Sequence, residues 1–498
     1  MRNLLAMLRR LPGASVIGTA DVVCLDVTRD HRTVGPGSLY VAIPGSRVDG
    51  HRFIEDAIEF GAVAIVGQQP CPADCTVPYV QVADAGHAYA RLIFAFFDDP
   101  QEGMRLYAVT GTNGKTSCTY MLQQLLADAG REAALIGTTG MKFGGRWYPA
   151  QHTTPDARVL AEVLKEMRRE RVDTVCMEVS SHALQQSRVD GLRYHGAIFT
   201  NLSHDHLDYH GSMERYAAAK ALLFAGLSPE AVAIFNADDE WTPTMRKDCR
   251  ARRQITVGET EDATITIADI NCTQVGSTFS LVLPPNKRGG VPRDVEFSIP
   301  LLGKFNVMNA AYCAVLALQE SVPIHRVQQS LAMLKAPAGR MEKYIVGTGI
   351  TAVVDYAHTP DALRQALASL RAVLPARHAL TVVFGCGGDR DKTKRAEMGR
   401  IAAAGANKVV LTSDNPRSEP PHGIIADIAE GIHERYASRV HVEIDRRQAI
   451  RTALAAARKG DIVLIAGKGH ELEQIIGDER IAFSDAQEVL AWNRKRKP

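Results

Sequence analysis

The segment Val109-Thr110-Gly111-Thr112-Asn113-Gly114-Lys115-Thr116-Ser117 joins an apolar run, residues 106–109, to a helix-like stretch, residues 118–129. Its chemistry is phosphate binding. Gly111, Thr112, Asn113, Gly114, Lys115, Thr116 and Ser117 form a cradle in which the glycines let backbone N–H groups approach a triphosphate. Lys115 can reach the terminal phosphates, the Thr116 hydroxyl can hold Mg²⁺, and the helix that follows turns its positive end to the anion. Val109 stands where the strict phosphate-loop pattern has its first glycine. Gly-Lys-Thr between a strand and a helix still predicts an ATP site rather than a plain turn.

Three further places concentrate reactive groups. Glu178 closes the apolar run 174–177 and could complete a Mg²⁺ site with Thr116 through oxygen ligands, or serve as a cap or ion-pair partner. Residues 201–210, Asn-Leu-Ser-His-Asp-His-Leu-Asp-Tyr-His, pack three histidines and two aspartates behind another strand-like run, which reads as a site more readily than as solvated surface. Lys220 lies in a helix-like stretch, 213–224, flanked by alanine and leucine. A helical lysine is ordinarily a surface charge, but a poorly solvated one loses its proton and becomes a nucleophilic amine. With carbon dioxide such an amine gives a carbamate, an oxygen ligand for a second Mg²⁺.

These groups need a scaffold. With 498 residues, 46% hydrophobic and 23% charged, the chain suits roughly three domains of ordinary size. Short β-like runs at 22–27, 38–43, 62–66 and 79–82, with a helical stretch at 53–60, predict a small α/β domain over 1–99. Strand-like runs at 105–110, 174–179, 196–200 and 231–235 alternate with helical ones and predict a mostly parallel, helix-covered sheet over 100–336. Within it, 264–267, 278–283 and 295–299 alternate as half-exposed strands do and suggest an antiparallel appendage; helices follow at 306–319 and 326–334. After a hinge-like Pro337-Ala338-Gly339-Arg340, buried-strand runs at 351–356, 380–384, 408–412 and 462–466 predict a second, doubly wound Rossmann-like domain over 337–498.

Composition excludes several function classes. A net charge of +2 gives no reason to expect a nucleic-acid partner, and no stretch approaches membrane-spanning length. Residues 1–11 are apolar but carry Arg2, Arg9 and Arg10, so they read as an amphipathic helix rather than a signal peptide. Nine cysteines scattered among apolar runs fit buried thiols in a reducing compartment, the lone Cys71/Cys75 pair included, and a cytoplasmic location is expected.

The sequence as a whole resembles the Mur ligases, ATP-dependent amide-forming enzymes of peptidoglycan precursor synthesis. GTNGKTS at 111–117, TTP at 153–155, MEVSSHAL at 177–184, NLSHDHLDYHG at 201–211, DYAHTPDAL at 355–363, GCGGDRDKTKR at 385–395, DNPR at 414–417 and GKGHE at 467–471 occur in the family's order. The resemblance is strongest to the branch that extends UDP-N-acetylmuramoyl-L-alanyl-D-glutamate by a diamino acid. It implies three domains that bind the UDP-muramyl substrate, ATP and the incoming amino acid in turn. Lys115 and Thr116 would handle the ATP phosphates and the first Mg²⁺, with Glu178 as another ligand; His206 and carbamylated Lys220 (N6-carboxylysine) would hold the second. Asn306, Asn309, Arg340 and His358 resemble positions that close around the nucleotide. Thr153, Thr154, Ser180, Gln186 and Arg188 look like contacts to the UDP-muramyl dipeptide. Residues 30–37 resemble the uridine-side motif, with His31 where the family has serine, and Ser46, Arg47 and Val48 would belong to the same pocket. Arg390, Asp414, Asn415, Arg417, Gly467 and Glu471 would bind the incoming amino acid.

That chemistry has definite requirements. A carboxylate is a poor electrophile, so the D-glutamate γ-carboxylate must first accept the γ-phosphoryl group of ATP as an acyl phosphate. The neutral amine of the amino acid then attacks the acyl carbon and phosphate leaves. The Arg417 fork suits a second carboxylate beside the side-chain amine, which favours meso-diaminopimelate over L-lysine. Alternatives are the L-lysine reaction, a folylpolyglutamate synthase of the same superfamily, or a nucleotide-gated binding protein; DNPR and the uridine-side motif speak against the folate enzyme. Small-molecule substrates, no membrane insertion and a monomer are expected.

Overall fold

A computed structural model describes residues 1–45, 48–285, 291–347 and 349–494. Runs of Val, Ile, Leu and aromatic residues build three principal sheets. The N-terminal one has five strands in the order Ser15–Ile17, Tyr79–Gln81, Ala62–Gly67, Ser38–Ala42 and Asp26–Thr28, antiparallel only at the first pairing. Helix Ala85–Phe96, capped by the Asp84 carboxylate, buries Ala88, Leu92 and Ile93 beneath it.

The second sheet has eleven strands, with Arg105–Thr110 between Thr174–Glu178 and Tyr194–Phe199, both parallel to it. Its residues are buried on both faces, as a helix-covered parallel strand requires. The register sets Glu178 beside Val109 and Phe199 beside Thr110, so three carboxyl ends open on one edge. That edge is where an open α/β sheet receives ligands. The sheet continues in parallel through Val232–Asn236 and Arg253–Gly258 to Ile265–Cys272, and then antiparallel through Ser277–Leu283 and Arg293–Ile299. The antiparallel strands are therefore an extension of the main sheet. At the opposite edge a hairpin, Gly140–Phe143 with Arg146–Tyr148, adds to Ala133–Gly137.

The third sheet runs Glu342–Val346, Ile350–Asp355, Ile462–Ala466, Leu380–Phe384, Lys408–Leu411 and Val440–Val442, parallel except at its first pairing. Helices Pro360–Val373, Lys394–Gly405, Pro421–Ala429, Arg446–Ala456 and Asp485–Arg494 supply its buried side chains.

Several elements depart from the sequence expectation. The helix after the phosphate loop starts at Lys115, three residues before the expected 118, because Gly114 at φ +85° turns the chain straight into it. Residues 1–11 give only helix Leu4–Leu8, since Arg2–Asn3 pairs with Val23–Cys24 as a small ribbon. The run 22–27 consequently splits: Val23–Cys24 serves that ribbon and Asp26–Thr28 the main N-terminal sheet. The stretch 53–60 begins as a 3₁₀ turn, Gly50–Phe53, ahead of helix Ile54–Glu59. All nine cysteines are free thiols.

Candidate active site

The phosphate loop sits where the central strand ends. Gly114 has φ +85°, and a Cβ there would come within 2.6 Å of the Asn309 side-chain oxygen, so glycine is required twice over. Helix Lys115–Asp128 has no side-chain cap, which leaves its first N–H groups to an anion. The Lys115 amine donates to the carbonyls of Gly111 and Thr112, 2.9 Å each. Burial lowers its pKa, against the pull of Glu178 and Asp205.

Glu178 is 1% exposed and almost saturated with hydrogen bonds. It accepts from the Thr116 hydroxyl at 3.0 Å, from the Thr138 N–H at 2.8 Å and from the Thr138 hydroxyl at 3.0 Å. Arg340, from the third-sheet side, donates to the same Thr116 hydroxyl at 3.2 Å and stacks its guanidinium 4.7 Å from the Tyr356 ring centre. Asn113 reaches Asp361 across the cleft at 3.3 Å. Apart from Asp361, these groups line a cavity of about 240 Å³ that holds most of the sequence-expected nucleotide residues: Thr112 to Ser117, Asn309, Arg340 and His358. His358 donates from Nδ1 to the Tyr356 carbonyl at 2.8 Å, and desolvation by the surrounding cleft lowers its pKa. Asn306 lies apart from the others. Its amide is buried and donates to the Leu302 carbonyl at 2.8 Å, which ties down the start of helix Lys304–Gln319.

Lys220 is 1% exposed, so it is no surface charge. Its amine donates to the Gly111 carbonyl at 2.8 Å, the atom that also accepts from Lys115, and lies 4.5 Å from the Tyr216 ring centre. Burial, then the charge of Lys115, lowers its pKa well below the ordinary range. A neutral amine is the form such a place stabilises. His206 lines the same cavity from a left-handed backbone position at φ +53° and packs edge-on to His182 at 4.9 Å. Burial pushes the His182 pKa down to about 4, with His206 and His210 adding to the shift.

Beside Glu178, the Thr138 and Thr153 hydroxyls lie 3.1 Å apart, and Thr154 donates to the Glu178 carbonyl at 2.9 Å. Ser180 caps helix Ser181–Gln185, Arg188 donates to the Thr154 carbonyl at 3.0 Å and to Gln186 at 2.6 Å, and Gln186 reaches the Tyr209 hydroxyl at 3.1 Å. Thr153, Thr154, Ser180, Gln186 and Arg188 are thus one connected surface next to the phosphate loop. On the uridine side, His31 stacks on Phe53 with ring centres 3.8 Å apart and Val48 is exposed, whereas Ser46 and Arg47 lie outside the described residues.

The remaining group gathers at the carboxyl ends of the third sheet. Arg417, at φ +50°, donates from Nη1 to the Gly388 carbonyl at 2.8 Å, near the exposed Arg390. Asn415 donates to Glu471 Oε2 at 2.8 Å, and Gly467 at φ +112° leaves room for Asp414, whose Oδ2 lies 2.6 Å from where a Cβ would stand.

Sequence reasoning missed several contributors. Thr138 and Phe305 also line the cavity, as do Asp205, Asp355 and Tyr356, from segments the sequence had singled out without giving these residues a role. Arg446, 1% exposed, pairs with Asp485 at 2.7 Å and donates to the carbonyls of Ser413 and Ala466, directly before Asp414 and Gly467. Its partner lies 39 residues away, so no local pattern marks it. Lys468, between two glycines of a segment already singled out, could have been noticed.

Comparison with known proteins agrees over the whole chain. Residues 27–96 match the Mur ligase family, catalytic domain; 109–317 the Mur ligase middle domain; and 339–469 the Mur ligase, glutamate ligase domain. UDP-N-acetylmuramoyl-L-alanyl-D-glutamate--2,6-diaminopimelate ligase of Geobacillus thermodenitrificans is 42% identical over 99% of this chain and 100% of its own length. The ligase so named in Solibacter usitatus is 43% identical over 93% of this chain and 92% of its own. A solved structure of a ligase of that name superposes with TM-score 0.71 at 34% identity, covering 99% of both chains. A MurF ligase from Thermotoga maritima shares the fold at 18% identity and TM-score 0.59, over 95% of this chain and 97% of its own.

Proposed function

The chain belongs to the Mur ligase family, and on that premise we propose that it joins meso-diaminopimelate to the D-glutamate γ-carboxylate of UDP-N-acetylmuramoyl-L-alanyl-D-glutamate at the expense of ATP. The observation that carries this reading is the cleft in which Lys115, Thr116, Glu178 and Arg340 meet across two sheets. Lys115 exchanges its loop carbonyls for the terminal phosphates, and Arg340, freed from Thr116, follows the charge as it moves. The connected surface at Thr153, Thr154, Ser180 and Arg188 brings the substrate's γ-carboxylate to the γ-phosphorus. The carboxylate oxygen bonds to phosphorus as the bond to the ADP oxygen breaks, leaving an acyl phosphate. The diamino acid, held by Arg417, Asn415 and Glu471, then delivers a neutral amine to the acyl carbon. The new C–N bond forms, the C–O bond to phosphate breaks, and the amine proton is lost.

The donors fit Mg²⁺. The Thr116 hydroxyl and Glu178 carboxylate are hard oxygen ligands 3.0 Å apart. Among the described residues no three His, Cys, Asp or Glu side chains are grouped so that they could hold a metal ion by themselves, and an Mg²⁺ that arrives with ATP takes phosphate and water oxygens besides. His206 and a carbamate on Lys220 would hold a second ion. Bound there, Mg²⁺ would offset the repulsion between triphosphate and carboxylate. Among the described residues no helix is long and apolar enough to cross a membrane. The enzyme proposed here is a cytoplasmic monomer acting on small molecules.

The test is phosphate release measured with each substrate withheld in turn. Release should require ATP, the UDP-muramyl dipeptide and diaminopimelate together. Release without the muramyl dipeptide would overturn the ligase reading in favour of a nucleotide switch.

A further inference from the structure

Lys468 is 0% exposed, a rare state for a lysine, and nothing in the chemistry described so far employs it. Gly467 and Gly469, at φ +112° and +54°, let the chain fold tightly enough to put it there. Its amine donates to Asn415 Oδ1 at 2.9 Å and to Glu471 Oε2 at 2.7 Å. Asn415 Nδ2 donates to the same Oε2 at 2.8 Å, while the Ile475 N–H fills the second position on Oδ1 at 3.0 Å. Oε2 is thereby occupied twice. Among the described residues no hydrogen bond or ion pair reaches Oε1, and the Glu471 side chain is 30% exposed where its lysine partner is wholly covered.

We propose that Lys468 is a positioning residue for the incoming diamino acid: it engages one oxygen of Glu471 and fixes the Asn415 amide, so that Oε1 alone is presented to the distal ammonium. This rests on the amino-acid site assigned above. A carboxylate free to rotate would offer either oxygen in many geometries, and an Asn415 amide without Lys468 would lose the charged one of the two donors that orient it, keeping only the Ile475 N–H. The lysine never touches the reacting atoms. Its effect is confined to the substrate group that Glu471 meets.

The experiment compares Lys468→Met and Lys468→Gln with the parent on two substrates, meso-diaminopimelate and 2-aminopimelate, which lacks the distal amine. The parent should prefer diaminopimelate. Loss of a charge-assisted contact should raise the KM for diaminopimelate in Lys468→Met by about tenfold or more. The KM values for ATP and the UDP-muramyl dipeptide, and kcat, should stay near those of the parent, and 2-aminopimelate should be used almost as before. Lys468→Gln keeps a neutral donor at that place and should lie between the two, which preserves the test if the methionine variant folds poorly. An equal penalty on both substrates in either folded variant would overturn the inference and leave Lys468 a structural residue. A parent that does not discriminate between the two substrates would instead overturn the assignment of Glu471, and with it this inference.

Discussion

Two lysine amines donating to one carbonyl, that of Gly111, is the arrangement on which the site turns. Both cannot be fully charged at little cost, and burial selects Lys220 as the neutral one. Lys220→Ala should be nearly inactive, and a short carboxylic acid such as formate should restore part of the activity by filling the vacated oxygen-ligand position. Full activity in the variant without additive would refute the carbamate. Among the described residues Arg417 gives only one guanidinium nitrogen to a hydrogen bond, with the Gly388 carbonyl, and on the proposed reading its other donors serve a substrate carboxylate. A site that desolvates such a donor rejects a substrate lacking the partner group, so the parent should favour diaminopimelate over L-lysine by kcat/KM. Arg417→Ala should lose most of that preference; an unchanged ratio would sink the role. His470 offers a pH test, because burial, then Arg340 and His358, depress its pKa to about 4 from 6.5. A depressed histidine stabilises the fold fully above pH 6.5 and loses that contribution as pH falls toward 4. His470→Gln should therefore flatten the decline of the melting temperature across that window, with little change at pH 8. The phosphate loop was legible residue by residue because its work is done by local backbone and adjacent side chains. Lys220 could only be suspected from its alanine flanks, since its burial depends on packing against the distant phosphate loop.

Elements carry these side chains to one another, and the parallel register is the main instrument. Pairing Glu178 with Val109 sets a carboxylate beside the phosphate loop, and pairing Phe199 with Thr110 on the other side leads the chain to Asn201, whose Oδ1 accepts from the Asn113 N–H at 2.9 Å. Such pairings were readable as alternation of strands and helices, whereas the hairpin Gly140–Phe143 with Arg146–Tyr148 was not, because its Gly, Lys and Arg content hides the apolar period. In the third sheet the brace is Arg446, which ties the ends of Lys408–Leu411 and Ile462–Ala466 together through the carbonyls of Ser413 and Ala466. Truncating one member of a fully buried ion pair strands the other, at a cost of about 3–5 kcal/mol. Arg446→Met should show a loss of that order in chemical denaturation. It should also raise the KM for diaminopimelate, since Asp414 and Gly467 follow the braced carbonyls directly. The double variant Arg446→Met/Asp485→Leu should regain much of the stability without regaining the KM. Recovery of both together would mean that the brace has no part in shaping the site.

At the scale of the whole molecule the apolar clusters divide unequally. One runs from Leu4 and Leu92 through Leu106 to Phe224 and Met245, so the first and second sheets share a core. Among the described residues the clusters of the third sheet take only Leu302 from outside, with Cys272 and Phe305 packed at their margin. Across that boundary the contacts are chiefly polar: Arg340 to Thr116, Asn113 to Asp361 and Lys343 to the Gln274 carbonyl at 3.1 Å. Hydrogen bonds of this kind exchange readily for water or ligand, and each is worth only about 1 kcal/mol net. The segment from Pro337 onward should thus unfold as a unit of its own, with the remainder as a second. Scanning calorimetry of the free protein should resolve two transitions. A nucleotide bound between Lys115 and Arg340 is held by both units and is released when either unfolds, so a non-hydrolysable ATP analogue with Mg²⁺ should raise the lower transition and draw the two together. At a hundredfold excess over Kd the ligand supplies about 2.7 kcal/mol, enough to move the lower midpoint by several degrees. Arg340→Ala keeps the phosphate loop and removes the opposite wall of its cleft, so in that variant the analogue should stabilise the larger unit while leaving the transition of the smaller one in place. A single cooperative transition in the free protein would show instead that the polar boundary is as strong as the cores it separates.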